Sequence, residues 1–199
     1  MAFIEQVTAP AVLPVTVAEA RQQCALYDDR SHDSLLYSYI SAATSRAEAF
    51  CSMALIERTM RLTLDAFDYT KKRIPINVYP VISVDSIKYD DADGVEQTWD
   101  ASNYDVNAGS RYPFVYVTGS YPVTASDLPN KVRMAFTAGY SGASADLSII
   151  PADIKLAILL MVYEMWQNRG ESIVGTSYAS TKYGMESLLA PYRAMHNEE

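Results

Sequence analysis

The sequence predicts an α+β protein: a helical core of two N-terminal helices and a long C-terminal helix, interrupted by an antiparallel β insertion. Three observations predict it. Apolar residues recur at helical spacing at the start of the chain and again beyond residue 149. Between these stretches the period falls to two, in short runs separated by turn residues. No internal repeat points to a solenoid or propeller. Residues 1–54 are therefore assigned to the N-terminal helical part of the core and 55–148 to the β-rich insertion. Residues 149–170 form the core helix, and 171–199 a flexible tail that carries a short C-terminal helix.

Thr16 followed by Glu19 is a capping box, which starts the first helix; Val17, Ala20, Cys24 and Tyr27 then share one face. After the polar turn "YDDRSHD" a longer helix runs from about Asp33 to Met53. Its apolar face is Leu36, Tyr39, Ile40, Ala43, Ala47 and Phe50.

The period then changes. In "RTMRLTLDAF", Met60, Leu62 and Leu64 alternate with Arg61, Thr63 and Asp65, as in a half-buried strand. "RIPINVYP" carries prolines that suit an edge strand or a strand end. "NYDVN", "FVYVTG" and "KVRMAFTAGY" follow, the last with a Val132, Met134, Phe136 face. Such a series suggests a compact antiparallel sheet or a small barrel.

The acidic stretch "KYDDADGVEQTWD", Lys88 to Asp100, has two readings. As a calcium loop with Gly94 at the sixth position, Asp93 and Asp91 fall at the fifth and third, but Tyr89 stands first and the shorter Asp100 last. The flanks are also β-branched and aromatic instead of helical. Asp-Gly chemistry suits a hairpin turn, since Asp bonds its own backbone and Gly takes positive φ. The hairpin is the expected structure, and no metal or other cofactor is expected.

Helix returns at "IIPADIKLAILLMVYEMWQNRG". Pro151 fits the first helical position, Asp153 the first turn, and Arg169-Gly170 the end. The helix is apolar almost all round, with Ile154, Ile158, Met161 and Met165 on one side and Leu156, Leu159, Tyr163 and Trp166 elsewhere. It is therefore expected to be buried on several sides, by its own domain or by a neighbouring subunit. The irregular "ESIVGTSYASTKYG" precedes a short helix, "MESLLAPYRAM".

Composition narrows the function. Of 199 residues, 49% are hydrophobic and 20% charged, an ordinary folded profile. The net charge of −8 argues against a general nucleic-acid binder. Cys24 and Cys51 do not form a CxxC and read as buried free thiols of a reducing compartment. The N-terminus lacks the basic and continuous apolar regions of a signal peptide, and "LAILLMV" is too short to span a membrane. A soluble protein made in the cytosol is expected. Of the two histidines, His32 lies in "SHD", where a cap or turn role is expected, and His196 lies in the tail. No P-loop, dinucleotide fingerprint, nucleophile elbow or zinc spacing occurs, so no catalytic residues are assigned. Fifteen tyrosines fit either protein interfaces or a β-rich core. Lys71, Lys72 and Arg73 read either as a solvated loop or as a contact for a phosphate backbone or an acidic neighbour.

The ordered motifs resemble the head–tail connector (adaptor) proteins of tailed phages. "VTVAEARQQCAL" matches the family's opening T-x-x-E-A-(K/R) helix. A second helix ending in an aromatic–Cys segment is followed by a T-x-x-L-x-L-D-x-F strand, here Thr59, Leu62, Leu64, Asp65 and Phe67. "VRMAFTAGY", "IPADIKLAILLMVYEMWQNRGES" and "SLLAPYR" continue the likeness through nearly the whole chain. The resemblance implies a structural virion protein, not an enzyme. It would form a homo-oligomeric ring, commonly a dodecamer, beneath the portal protein. That ring would extend the channel through which genomic DNA passes without specific binding, and would offer a platform to a stopper or tail protein. It implies a place in the neck of the virion, away from any membrane. It also implies that Met185–Met195 docks on the portal through Leu188, Leu189, Tyr192 and Arg193, after a tether over Gly170–Gly184. The helices would build the subunit core and ring interface, and acidic groups would line a channel that repels DNA. A tail-tube or stopper component is the nearest alternative. A metal-dependent hydrolase using Asp and Glu, and a sugar- or surface-binding β module, are alternatives of other classes.

Overall fold

A computed structural model describes residues 2–125, 129–140, 147–169 and 184–194. The chain divides into two compact units, one built from residues 2–11 and 56–140, the other from residues 12–55 and 147–194 within the described range.

Among the described residues the first unit is built on β-strands, with one 3-10 turn at Ala101–Asn103. Its strands are β1 (Ala2–Gln6), β2 (Arg58–Leu64), β3 (Arg73–Pro75), β4 (Val81–Asp90), β5 (Glu96–Thr98), β6 (Tyr104–Asn107), β7 (Phe114–Val117) and β8 (Val132–Ala138). Five form an antiparallel sheet in the order β1-β2-β8-β4-β5, and three form a second sheet, β3-β7-β6. The two alternating runs seen in the sequence are direct neighbours: Met60 faces Phe136, Leu62 faces Met134 and Leu64 faces Val132. Val132, Met134 and Phe136 are wholly buried, and Met60 and Leu62 nearly so. Burying each such side chain contributes about 1.5–3 kcal/mol, so this face is the energetic centre of the unit. The register of β4 against β8 shifts twice, between Val81 and Ser83 and between Val84 and Ser86, and the burial of β4 does not alternate.

Gly139 ends β8 at φ +141°, where a Cβ would lie 2.3 Å from the backbone nitrogen of Glu57. Both the backbone angle and the close approach of the other chain segment require glycine there. Beside the sheets, Trp99 is buried among Phe67, Tyr104 and Tyr121, with ring centroids 5.2–5.7 Å from its own. Tyrosine thus serves the β core here, while Tyr69, Tyr112 and Tyr116 remain exposed.

The second unit is helical: α1 (Val17–Gln23), α2 (Asp33–Cys51), α3 (Ala152–Gln167) and α4 (Met185–Leu189). The capping box is present in full, with Thr16 Oγ1 accepting from Glu19 N at 3.1 Å and Glu19 Oε2 accepting from Thr16 N at 2.6 Å. Leu36, Ile40, Ala43, Ala47 and Cys51 of α2 pack with Ile154, Ala157, Ile158, Met161 and Val162 of α3 in one core. Arg21 Nε lies 3.2 Å from Asp33 Oδ1 and ties α1 to the start of α2.

The structure corrects several expectations. The first residues carry a strand, β1, where only helices were expected before the insertion. Tyr27 does not continue the α1 face: the helix stops at Gln23, Ala25 and Tyr27 take positive φ, and Tyr27 is 73% exposed. Pro151 is the N-cap of α3, one residue before the first helical position. Within its unit α3 is not buried all round. Its covered face is Ile154, Ala157, Ile158, Met161 and Val162, while Leu156 and Tyr163 are 44% and 40% exposed.

Candidate functional site

The acidic stretch Lys88–Asp100 folds as the expected hairpin. β4 and β5 pair antiparallel with Asp90 opposite Glu96 and Tyr89 opposite Gln97. Gly94 takes φ +77° in the turn. Asp91 closes that turn from within. Its Oδ1 accepts from the backbone of Asp93 at 3.1 Å and of Val95 at 3.0 Å, and its Oδ2 accepts from the Gln97 amide at 2.9 Å. The bond from Gln97, joined by those from the backbone, holds its carboxyl below the ordinary range. Asp100 caps the following 3-10 turn by accepting from Ser102 N at 2.8 Å. Asp90 receives the Arg133 guanidinium through both oxygens, and Lys88 and Arg133 both reach Glu96. The acidic groups thus hold the hairpin together. Among the described residues no group of three or more His, Cys, Asp or Glu is placed to hold a metal ion.

The "SHD" sequence does not converge as a catalytic relay. Ser31 Oγ donates to Asp29 at 2.6 Å, and His32 occupies the N-cap position of α2, its ring edge-on to Trp166 at 5.0 Å. Trp166 also receives the Arg169 guanidinium, 3.9 Å from its centroid. His196 lies outside the described residues.

The C-terminal segment has a definite place. α4 and the 3-10 turn Ala190–Tyr192 are clasped to the helical unit by both backbone and side chains. Ala194 N donates to the Cys51 carbonyl at 3.1 Å, and the Cys51 thiol lies 3.7 Å from the Leu189 carbonyl. The Tyr192 hydroxyl donates to Asp153 Oδ2 at 3.3 Å. The Arg193 guanidinium stands 5.3 Å over the Phe50 ring. Burial pushes the Cys51 thiol up to about 11, against the lowering effect of Arg193. Of the four residues expected to dock, Leu189 is wholly buried in its own unit, Leu188 and Tyr192 are half-buried, and Arg193 is exposed. Leu189 is therefore a core side chain in this fold, and its neighbours face outward. The tether residues 170–183, and Met195, lie outside the described residues.

Lys71, Lys72 and Arg73 lead into β3, and all three are exposed. Arg73 lies opposite Tyr116 in the sheet, and its guanidinium stands 4.7 Å over the Phe114 ring. These aromatic neighbours come from β7, about forty residues on, so nothing next to Arg73 in sequence marked them. Among the described residues no helix is long and apolar enough to cross a membrane.

The fold defines the class first: a small α+β module with antiparallel sheets and a C-terminal segment clasped to its helices. Residues 14–108, just under half of the chain, match the family model described as phage gp6-like head-tail connector protein. The resemblance drawn from the residues is thus shown independently, on the helices and strands that carry the T-x-x-E-A-R and T-x-x-L-x-L-D-x-F motifs. Three solved structures are similar over 98% of this chain and 97% of theirs, each at 26% identity. They are the neck of an empty gene transfer agent (GTA) particle computed with C6 symmetry (TM-score 0.81), the virion of a native GTA particle (0.80) and the neck of a native GTA particle computed with C12 symmetry (0.77). The likeness includes α3 and the C-terminal segment, beyond the stretch that the family match covers. No curated protein sequence matches the chain.

Proposed function

We propose that this chain is a structural subunit of the neck of a tailed phage or phage-derived particle. It forms a homo-oligomeric ring under the portal, extends the DNA channel and carries the stopper or tail proteins. The single observation that supports this most is likeness along the whole chain, at TM-score 0.81, to a chain from a particle neck. Necks computed with C6 and C12 symmetry support a ring, with twelve as the favoured copy number. The family match supports the connector role over the tail-tube alternative. The protein's site of action is then the virion, and its role is mechanical instead of catalytic.

In this reading the C-terminal segment is the portal-docking element. Leu188, Tyr192 and Arg193 supply the contacts, while Leu189 anchors the segment to its own subunit. The apolar side of α3 that its own unit leaves open, Leu156 with Tyr163, is the ring contact. Pull-down on immobilised portal tests the docking role. The full chain should be retained, and Leu188→Asp with Arg193→Glu should reduce retention at least tenfold while the subunit stays folded. Unchanged retention would remove the segment from the docking role.

A further inference from the structure

The chain carries eight more acidic than basic charges, yet its only run of three cations is Lys71-Lys72-Arg73. The fold places that run on a fixed backbone. The Lys72 carbonyl accepts from Val117 N at 2.9 Å, and the Lys71 carbonyl accepts from the Tyr121 hydroxyl at 2.9 Å. The Arg73 guanidinium stands 4.7 Å over the Phe114 ring, a cation–π contact that steadies the charge at this exposed edge. No carboxylate is paired with Arg73 among the described residues. Tyr116, 39% exposed, flanks the cations with a hydroxyl donor, whereas the Tyr69 hydroxyl donates to the Pro122 carbonyl at 3.2 Å. Two acids stand close by. Asp68 turns its Oδ1 to Thr70 and also attracts Lys71, and Asp105 pairs across the sheet with Tyr116.

We propose that this face, centred on Lys72 and Arg73 at the edge of the three-stranded sheet, is a sequence-independent contact for the phosphodiester backbone of duplex DNA. A planar guanidinium held on an aromatic ring presents a fork that matches phosphate oxygens, and lysines beside it add point charge. The net charge of −8 repels a polyanion as a whole, so binding depends on this cationic face and holds DNA without fixing its sequence. The choice of DNA as the polyanion rests on the neck reading; the cationic face does not.

The test is fluorescence anisotropy of the full chain with a labelled mixed-sequence duplex, titrated in sodium chloride. Three phosphate contacts predict a log–log salt slope of about −2.7, or about forty-fold weaker binding at 200 mM than at 50 mM. Lys72→Glu with Arg73→Gln should cut the slope to about −1. Arg46→Glu, an exposed change of the same kind on α2, should leave the slope unchanged. Lys72→Gln alone, which leaves the Arg73–Phe114 stack intact, should lower the slope by about one. Absence of binding at 50 mM, or a slope that ignores these substitutions, overturns the proposal. So does binding of poly-glutamate as tight as that of the duplex, which would assign the face to an acidic protein neighbour. A chain that joins the portal but ignores DNA overturns this proposal alone and leaves the neck reading standing.

Discussion

The thiol of Cys51 lies 3.7 Å from the carbonyl oxygen of Leu189, a residue 138 positions further along the chain. The end of α2 and the C-terminal segment therefore share one buried core. Cys51 and Cys24 are both free and buried, and burial raises both thiols above their ordinary range. In the folded chain both should react slowly with a thiol reagent at neutral pH, because the thiolate is scarce and the sulfur is covered. Removing residues 184–199 should speed labelling of Cys51 at least about tenfold and leave Cys24 slow. Mass spectrometry of the labelled peptides checks this; fast labelling of Cys51 in the intact chain would mean that the segment does not cover it.

Leu189→Ala should cost about 2–5 kcal/mol in urea unfolding, the range for emptying a buried leucine site. Arg193→Ala, at an exposed residue, should cost about 1 kcal/mol or less. The contrast separates anchor from contact surface within one short segment.

Gly139→Ala should destabilise the β unit by at least about 1–3 kcal/mol, because φ +141° suits glycine and the new Cβ would meet the Glu57 backbone. Gly109 has open space where a Cβ would go, so Gly109→Ala is the control and should lie within about 1 kcal/mol of the wild type. Thermal melts of the two variants provide the comparison.

Much of the fold was legible because local chemistry and tertiary structure agree. Met60, Leu62 and Leu64 alternate, as do Val132, Met134 and Phe136, and the sheet pairs them face to face. The Thr16–Glu19 box and the Asp-Gly turn each satisfy their own backbone, so they read correctly from a few residues. β1 was not legible because its order comes from pairing with β2, nearly sixty residues away. Tyr27 was misplaced because apolar spacing continues past the point where positive φ at Ala25 ends the helix. At the candidate site, composition marked Lys71–Arg73 and motif likeness marked the C-terminal segment. That Leu189 points inward while Arg193 points out depends on the Cys51 clasp, which no local pattern encodes.

Acid should weaken the hairpin in a defined way. Bonding to the Arg133 guanidinium holds the Asp90 carboxyl below its ordinary range, so its folded value is depressed relative to the unfolded chain. Its stabilising contribution is present above about pH 4, the unfolded value, and is lost as pH falls through the folded value. Asp90→Asn should therefore lower the urea midpoint at pH 7 and show a smaller loss below pH 4 than the wild type. Parallel acid limbs in the two proteins would show that the pair contributes nothing to pH dependence.

Native mass spectrometry of the purified chain, alone and mixed with the portal of its own particle, tests the neck assignment most directly. The predicted result is a single complex in which a portal ring carries a symmetric set of copies, with twelve favoured by the C12 neck it resembles. A chain that stays apart from the portal at every ratio would contradict the assignment.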